Sequence, residues 1–225
     1  MEVNVIAQVP LFAGLSEEDQ IALRSMMGVV ALRRGEVLFH EGDEGKRFYI
    51  LMEGKLKLGH SSADGRENLL AIIGPGEVLG ELSLFDLGAR STTATAISPS
   101  KLLYLEHADM VNFLEEHPGM AMHMLRALAI RLRRTNETLA DLVFSDVPGR
   151  VAKALLDLAE RFGARVEDGI HVPHDLTQEE LAKLVGASRE TVNKSLAEFV
   201  SRNWIRLEGR AVTLLDVERL KRRAR

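Results

Sequence analysis

The chain has 225 residues, of which 46% are hydrophobic and 28% charged, so packed cores in one large or two ordinary domains are expected. It contains no Cys, which excludes disulfides, thiolate-held iron–sulfur clusters and Cys-based zinc sites; no apolar run reaches the ~18 to 20 residues of a membrane span, and MEVNVIAQVP lacks signal-peptide order, so a cytoplasmic protein without a membrane partner is expected. The net charge of −4 hides an asymmetry: residues 1–145 carry 14 Lys/Arg against 20 Asp/Glu and residues 146–225 carry 15 against 13, which assigns any polyanionic partner to the C-terminal part.

In chain order, LSEEDQIALRSMM predicts a short helix with Ser16 as N-cap and Glu17 and Glu18 in its first turn. From about residue 28 to 105, β-rich runs separated by glycines predict an all-β sandwich or barrel. LMEGKLKL reads as a hairpin with Gly54 in the turn and Leu56 and Leu58 alternating with Lys55 and Lys57. A long helix follows, from near Pro118 to about Phe144. On it Ala121, Leu125, Leu128, Leu132, Thr135, Leu139 and Leu142 recur at alternating steps of four and three, a heptad seam that suits a two-stranded coiled coil between subunits. The alternative is a solitary amphipathic helix on its own domain's core. In either case Thr135 and its neighbour Asn136 are polar breaks among leucines that call for partners from another chain or a ligand.

SDVPGR marks a hinge, with Asp146 capping a new helix and Pro148 in its first turn; RVAKALLDLAERFG continues that helix to Gly163. HDLTQEELAKLVGASRETVNKSLAEFVSRNW then predicts two helices joined by a tight turn at Gly186. Thr177 and Glu180 form a capping box, Leu181, Leu184 and Val185 face inward, and Ser188 caps the second helix. On that helix Val192, Leu196 and Phe199 face the core, while Arg189, Glu190, Asn193 and Lys194 share the opposite face. WIRLEGRAVTLLD reads as a winged hairpin with Glu208 and Gly209 in its turn. Arg and Lys bond guanine O6 and N7 and Glu accepts from the cytosine amino group, so this face has the inventory of a base reader. The plain alternative is a solvated charged face. A capped first helix, a glycine turn and a small residue, Ala182, at the helix crossing favour DNA.

GELSLFDLGARS at residues 80–91, RLRRTNETLADLVFSDVPGR and DLTQEELAKLVGASRETVNK together resemble the cyclic-AMP receptor protein (catabolite activator) family of bacterial regulators over essentially the whole chain, most closely its actinobacterial branch. The resemblance implies an α+β protein. Residues 1–117 would form an N-terminal cyclic-nucleotide-binding β-roll of jelly-roll type, 118–145 a long coiled-coil dimerisation helix, and 146–225 a C-terminal winged helix-turn-helix.

It also implies roles. Gly80–Ser91 would be the phosphate-binding cassette for 3′,5′-cyclic AMP as allosteric ligand: Arg90 pairs with the cyclic phosphate, Glu81 accepts the ribose 2′-hydroxyl, Gly80 allows close approach, and Leu82, Ser83 and Ser91 complete it. A guanidinium fork suits a phosphodiester monoanion. Arg131, Thr135 and Asn136 would reach the ligand from the long helix, with Thr135 and Asn136 of the two subunits on adenine. Leu125, Leu128, Leu132, Thr135, Leu139 and Leu142 would form the homodimer interface. Thr177, Gln178, Ser188, Arg189, Glu190, Thr191, Asn193 and Lys194 would contact a palindromic, TGTGA-like double-stranded operator, with Lys194 where the best-known enterobacterial member has Arg. Arg222 and Arg223 in the tail are candidates for phosphate contacts, and RNA polymerase is an expected partner. The cassette is one residue shorter between Glu81 and Arg90 than in that enterobacterial member, and Asn136 replaces a Ser.

Rival readings are a haem or other effector sensor on the same scaffold, or a regulator acting without ligand; a cupin-like enzyme; and a cyclic-nucleotide subunit governing another enzyme. A Cys-free chain excludes the iron–sulfur sensor, and a gas sensor needs neither Glu81 nor Arg90. His40, His60 and His107 lack the paired spacing of an enzyme's metal set, so no catalytic residue is assigned. A mere regulatory subunit leaves Arg189, Glu190 and Lys194 without a task.

Overall fold

The structure is a computed structural model describing residues 6, 9, 12, 15–61, 67–82 and 88–224, with the backbone alone for 61, 67, 123, 124, 127, 131, 134 and 138. It has two compact units, residues 1–61 with 71–135 and residues 62–70 with 136–225, each described by itself below.

The first unit contains α1 (Glu17–Met26), β1 (Gly28–Leu32), β2 (Val37–Phe39), β3 (Arg47–Glu53), β4 (Leu56–Ser61), the end of β5 (Glu67–Ile73, divided between the units after Leu70), β6 (Val78–Leu79), β7 (Thr93–Ala96), β8 (Ser100–Glu106), α2 (His107–Glu116) and the start of α3 (Pro118–Phe144). Ser16 caps α1 as the sequence predicts, accepting from the Asp19 N–H at 3.1 Å. Two four-stranded sheets form, in the orders β1-β8-β3-β6 and β2-β7-β4-β5.

The alternation of β3, RFYILME, explains the layering. Tyr49 and Leu51 point into a core shared with Leu56, Leu58, Ile73 and Ala94 of the second sheet. Phe48 and Ile50 point the other way, into a core closed by Leu23 of α1, by Met27 just after it and by Met110 and Phe113 of α2. A strand buried on both faces reads as a continuous apolar run, as this one does. Helix α2, absent from the sequence reading, covers that outer face.

The expected hairpin at Gly54 does not form. Strands β3 and β4 lie in different sheets, β3 pairing with β8 and β6, and β4 with β7, so the chain crosses between layers there. Gly54 has φ +88°, and the crossing is pinned where Lys55 N–H donates to Ser98 Oγ at 2.9 Å and Ile97 N–H donates to the Lys55 carbonyl at 2.9 Å. Leu56 and Leu58 do face inward, because alternation fixes a strand's buried face and not its partner.

The second unit contains the end of α3, α4 (Val147–Phe162), β9 (Ala164–Val166), β10 (Gly169–Val172), α5 (Gln178–Val185), α6 (Arg189–Ser201), β11 (Ile205–Glu208), β12 (Ala211–Leu214) and α7 (Val217–Arg223). Asp146 caps α4, accepting from the Gly149 N–H at 2.9 Å, and Gly163 ends it. The wing is larger than expected: β9 and β10 join β11 and β12 in a sheet of order β11-β12-β10-β9. Its turn is Gly209–Arg210, one residue later than expected, since Glu208 still pairs with Ala211 and Gly209 takes the positive φ of +64°. Among the described residues no helix is long and apolar enough to cross a membrane.

Candidate functional site

Of the segment 80–91, the described residues Gly80, Glu81, Leu82, Ala89, Arg90 and Ser91 line one cavity. Strand β6 pairs with β3, setting Leu79 opposite Tyr49, and Gly80 then turns the chain with φ +80° to leave Glu81 buried, at 4% exposure. Arg90 arrives from the other side, 5% exposed. Its backbone N–H donates to the Asp43 carbonyl at 2.8 Å, its carbonyl accepts from Gly42 N–H at 2.9 Å, and Ala89 bridges Glu44. The loop between β2 and β3 thus fixes where the guanidinium starts.

The guanidinium is held as tightly as its backbone. Its Nη2 donates to the Arg47 carbonyl, and its carbon lies 4.5 Å from the centre of the Phe39 ring and 5.7 Å from that of Tyr49. Burial pulls Arg90 below the usual arginine range, while the negative side of Tyr49, Glu81 and Asp43 pushes back. Burial likewise raises the Tyr49 phenol, against Arg90 and Arg47. The result is a buried cation on two aromatic faces with a buried carboxylate beside it, an arrangement with the charge and acceptor to suit a small anion carrying a nearby hydroxyl.

The cavity here is lined by Phe39, Leu58, Leu79, Gly80, Glu81, Leu82, Ala89, Arg90, Ser91 and Thr92. It joins Gly80, Glu81, Leu82, Arg90 and Ser91. Ser83 lies outside the described residues, as does the Arg131 side chain, while Thr135 and Asn136 are exposed on α3 and do not line this cavity. Sequence reasoning missed Phe39, Tyr49 and the Arg47 carbonyl, which carry no local motif and act only through the sheet packing.

In the second unit the helix pair has the geometry its sequence predicts. Thr177 Oγ1 accepts from Glu180 N–H at 3.1 Å and Glu180 Oε2 accepts from Thr177 N–H at 2.8 Å, a complete capping box. Gly186, at φ +63°, ends α5 with its N–H donating to the Lys183 carbonyl at 3.3 Å and the Ala187 N–H to the Ala182 carbonyl at 3.0 Å, a Schellman motif. Ser188 caps α6, accepting from Thr191 N–H at 3.2 Å. Val192, Leu196 and Phe199 are buried, which leaves Arg189, Glu190, Thr191 and Lys194 exposed with Thr177, Gln178 and Ser188. Asn193 differs: it is half-buried and its Oδ1 is enclosed without a hydrogen bond.

Two further residues stand out. Arg150, which the sequence reading passed over, donates to the carbonyls of Ser145 at 2.6 Å, Val185 at 2.8 Å and Gly186 at 3.3 Å, tying α4 to the turn of the helix pair. Arg223, a candidate for phosphate contact, is instead paired with Asp146 at 2.5 Å, whereas Arg222 is exposed. Along α3, Leu125, Leu132, Leu139 and Leu142 are 46% to 62% exposed and Leu128 is half-buried.

Residues 29–117 match the cyclic nucleotide-binding domain and residues 149–223 the Crp-like helix-turn-helix domain. Over 222 residues, 99% of each chain, the sequence is 50% identical to the CRP-like cAMP-activated global transcriptional regulator of Mycobacterium tuberculosis. It is 34% identical to the cyclic AMP receptor protein of Thermus thermophilus, over 92% of this chain and 95% of the relative. The solved structure of a CRP-family transcriptional regulator, also of Thermus thermophilus, superposes with a TM-score of 0.74 at 31% identity, covering 87% of this chain and 96% of that one. The chain belongs to the CRP family of transcriptional regulators, a family of regulators and not of enzymes.

Proposed function

We propose that this protein is a cyclic-AMP-responsive, homodimeric transcriptional regulator that reads a palindromic operator in the cytoplasm. The observation that carries the ligand is the buried Arg90 guanidinium, oriented by the Arg47 carbonyl and by Phe39. A buried cation held in one orientation is complementary to the two free oxygens of a cyclic phosphodiester, and it attracts them more strongly than an exposed one would. Glu81, buried beside it, accepts the ribose 2′-hydroxyl; Gly80, Leu82, Ser83 and Ser91 complete the cassette. On this reading Arg131, Thr135 and Asn136 of α3 are further ligand residues, with Thr135 and Asn136 contacting adenine one from each subunit of the dimer. Residues 1–117 serve the ligand, 118–145 the dimer and 146–225 the DNA.

The exposed leucines of α3 support the dimer, since a row of Leu125, Leu132 and Leu139 facing water on a single chain is costly to leave uncovered. A two-fold dimer presents two copies of α6, so the half-sites lie about one helical turn apart. Arg189 and Lys194 choose guanines and Glu190 a cytosine in a TGTGA-like half-site, with Thr177, Gln178, Ser188, Thr191 and Asn193 positioning the helix; RNA polymerase is the further partner. Selection from random duplex DNA tests this. The reading expects a near-palindrome containing guanines, enriched more strongly with cyclic AMP than without; direct repeats, or no guanine-containing half-site, would contradict it.

A further inference from the structure

The corner between α3 and α4 uses one carboxylate for two tasks. Asp146 Oδ1 accepts from Gly149 N–H at 2.9 Å and so caps α4, while Oδ2 takes Arg223 Nη2, at 2.5 Å, from the last residue of α7. Position 149 adds a second observation. A β-carbon there would stand 2.9 Å from Asp146 Oδ1 and 3.3 Å from the Arg223 carbonyl, so glycine leaves the slot in which cap and cation meet. Helix α7 is anchored independently, by fully buried Leu220 and by Asp216 capping its first turn at 2.9 Å, so the arginine is presented from a fixed base.

We propose that Arg223 is a positioning residue that clamps the α3–α4 corner, so that the C-terminal helix takes part in transmitting the ligand's effect to DNA. Any signal from the Arg90 pocket to α6 that travels along the chain passes residues 145–147, where α3 ends and α4 begins. Fastening the cap residue to α7 makes α4 and α7 move with that corner instead of following it loosely. Arg223, acting first, holds the Asp146 carboxyl below the usual carboxylate range, so the clamp carries its full charge at neutral pH. Asp146 is 62% exposed, so the pair is weak and its effect modest.

The proposal rests on the cyclic-AMP reading, and the experiment separates the two. Operator-DNA affinity of the full-length protein is measured with and without saturating cyclic AMP for wild type, Arg223→Gln, Arg223→Lys and Asp146→Asn. Asn keeps a good N-cap, so Asp146→Asn removes the ion pair and leaves the helix start intact. The clamp predicts that the ligand-induced gain in affinity shrinks by about two- to fivefold in Arg223→Gln and Asp146→Asn, recovers in Arg223→Lys, and is no smaller in the double variant than in either single. Cyclic-AMP affinity and the melting temperature should stay near wild type. An unchanged gain in Arg223→Gln and Asp146→Asn overturns the clamp even if all DNA affinities fall together, because that is what a merely structural role would do. A wild type that shows no gain overturns the cyclic-AMP reading, and the clamp with it.

Discussion

The guanidinium of Arg90 fills the space that a side chain on Gly80 would need. A β-carbon at position 80 would collide with Arg90 Nη1 and stand 2.8 Å from the Arg47 carbonyl, on a backbone whose φ is +80°. Gly80→Ala therefore adds about 1 to 2 kcal/mol of left-handed strain and drives the cation from its seat. We expect a lower melting temperature and at least about a tenfold loss of cyclic-AMP affinity, a factor worth ~1.4 kcal/mol. Wild-type affinity in a folded Gly80→Ala protein would contradict this packing.

The capping box makes a contrasting prediction. Thr177→Ala removes the acceptor for Glu180 N–H and should cost about 1 kcal/mol of stability in the second unit. Chemical denaturation followed at Trp204, in the same unit, is the check. Cyclic-AMP affinity measured alongside should not move, because Thr177 is neither in the cavity lining, which lies in the first unit, nor among the residues of the long helix proposed to reach the ligand.

Where the sequence carries the structure depends on how local the interaction is. Caps at Ser16, Asp146, Thr177 and Ser188, and the helix stops at Gly163 and Gly186, are written within a few residues and are found where the sequence predicts them. Long-range pairing is not. Gly54 signals a turn, yet whether β4 folds back on β3 or crosses to another sheet depends on β7, some forty residues away. Helix α2 and strands β9 and β10 are short and lie beside stronger signals, a long strand and a long helix, that absorbed them. In the pocket, Glu81 and Arg90 stand out as charges in an apolar segment. Phe39, Tyr49 and the Arg47 carbonyl do not, because core aromatics and backbone carbonyls look alike everywhere until the fold brings them to one guanidinium. Arg150 and Arg223 look like ordinary surface cations for the same reason.

His117 supplies a pH dependence. It sits between α2 and α3 with Nδ1 2.9 Å from the Phe113 carbonyl and Nε2 2.9 Å from Asp19 Oδ1, and neither acceptor has a proton to give. Both ring nitrogens are satisfied only in the cation. The Phe113 carbonyl first, then Asp19, raise the His117 pKa; Ser16 first, then His117, lower that of Asp19. The raised histidine adds stability that is complete below its ordinary value of about 6.5 and is lost as pH rises through the folded value; the lowered aspartate's share is lost only in acid. Between about pH 6 and about pH 8 the melting temperature of wild type should fall more than that of His117→Gln. Equal falls would contradict the assignment.

The seam on α3 predicts the state of assembly. Leu132 is 62% exposed in the single chain, so Leu132→Glu is tolerated in an isolated subunit but places two buried, facing carboxylates in a dimer. Light scattering should give a dimer for wild type at micromolar concentration, without ligand, and a monomer for the variant. A monomeric wild type would contradict the seam.

The most direct test is calorimetric titration of cyclic AMP into wild type and Arg90→Leu. Leucine is apolar, cannot pair with a phosphate, and still fills part of the space against Phe39 and Tyr49, so the variant is expected to fold, with circular dichroism as the control. The account predicts one nucleotide bound per chain by wild type and binding all but abolished in Arg90→Leu. Unchanged cyclic-AMP affinity in the folded variant would show that the buried guanidinium is not the phosphate's partner.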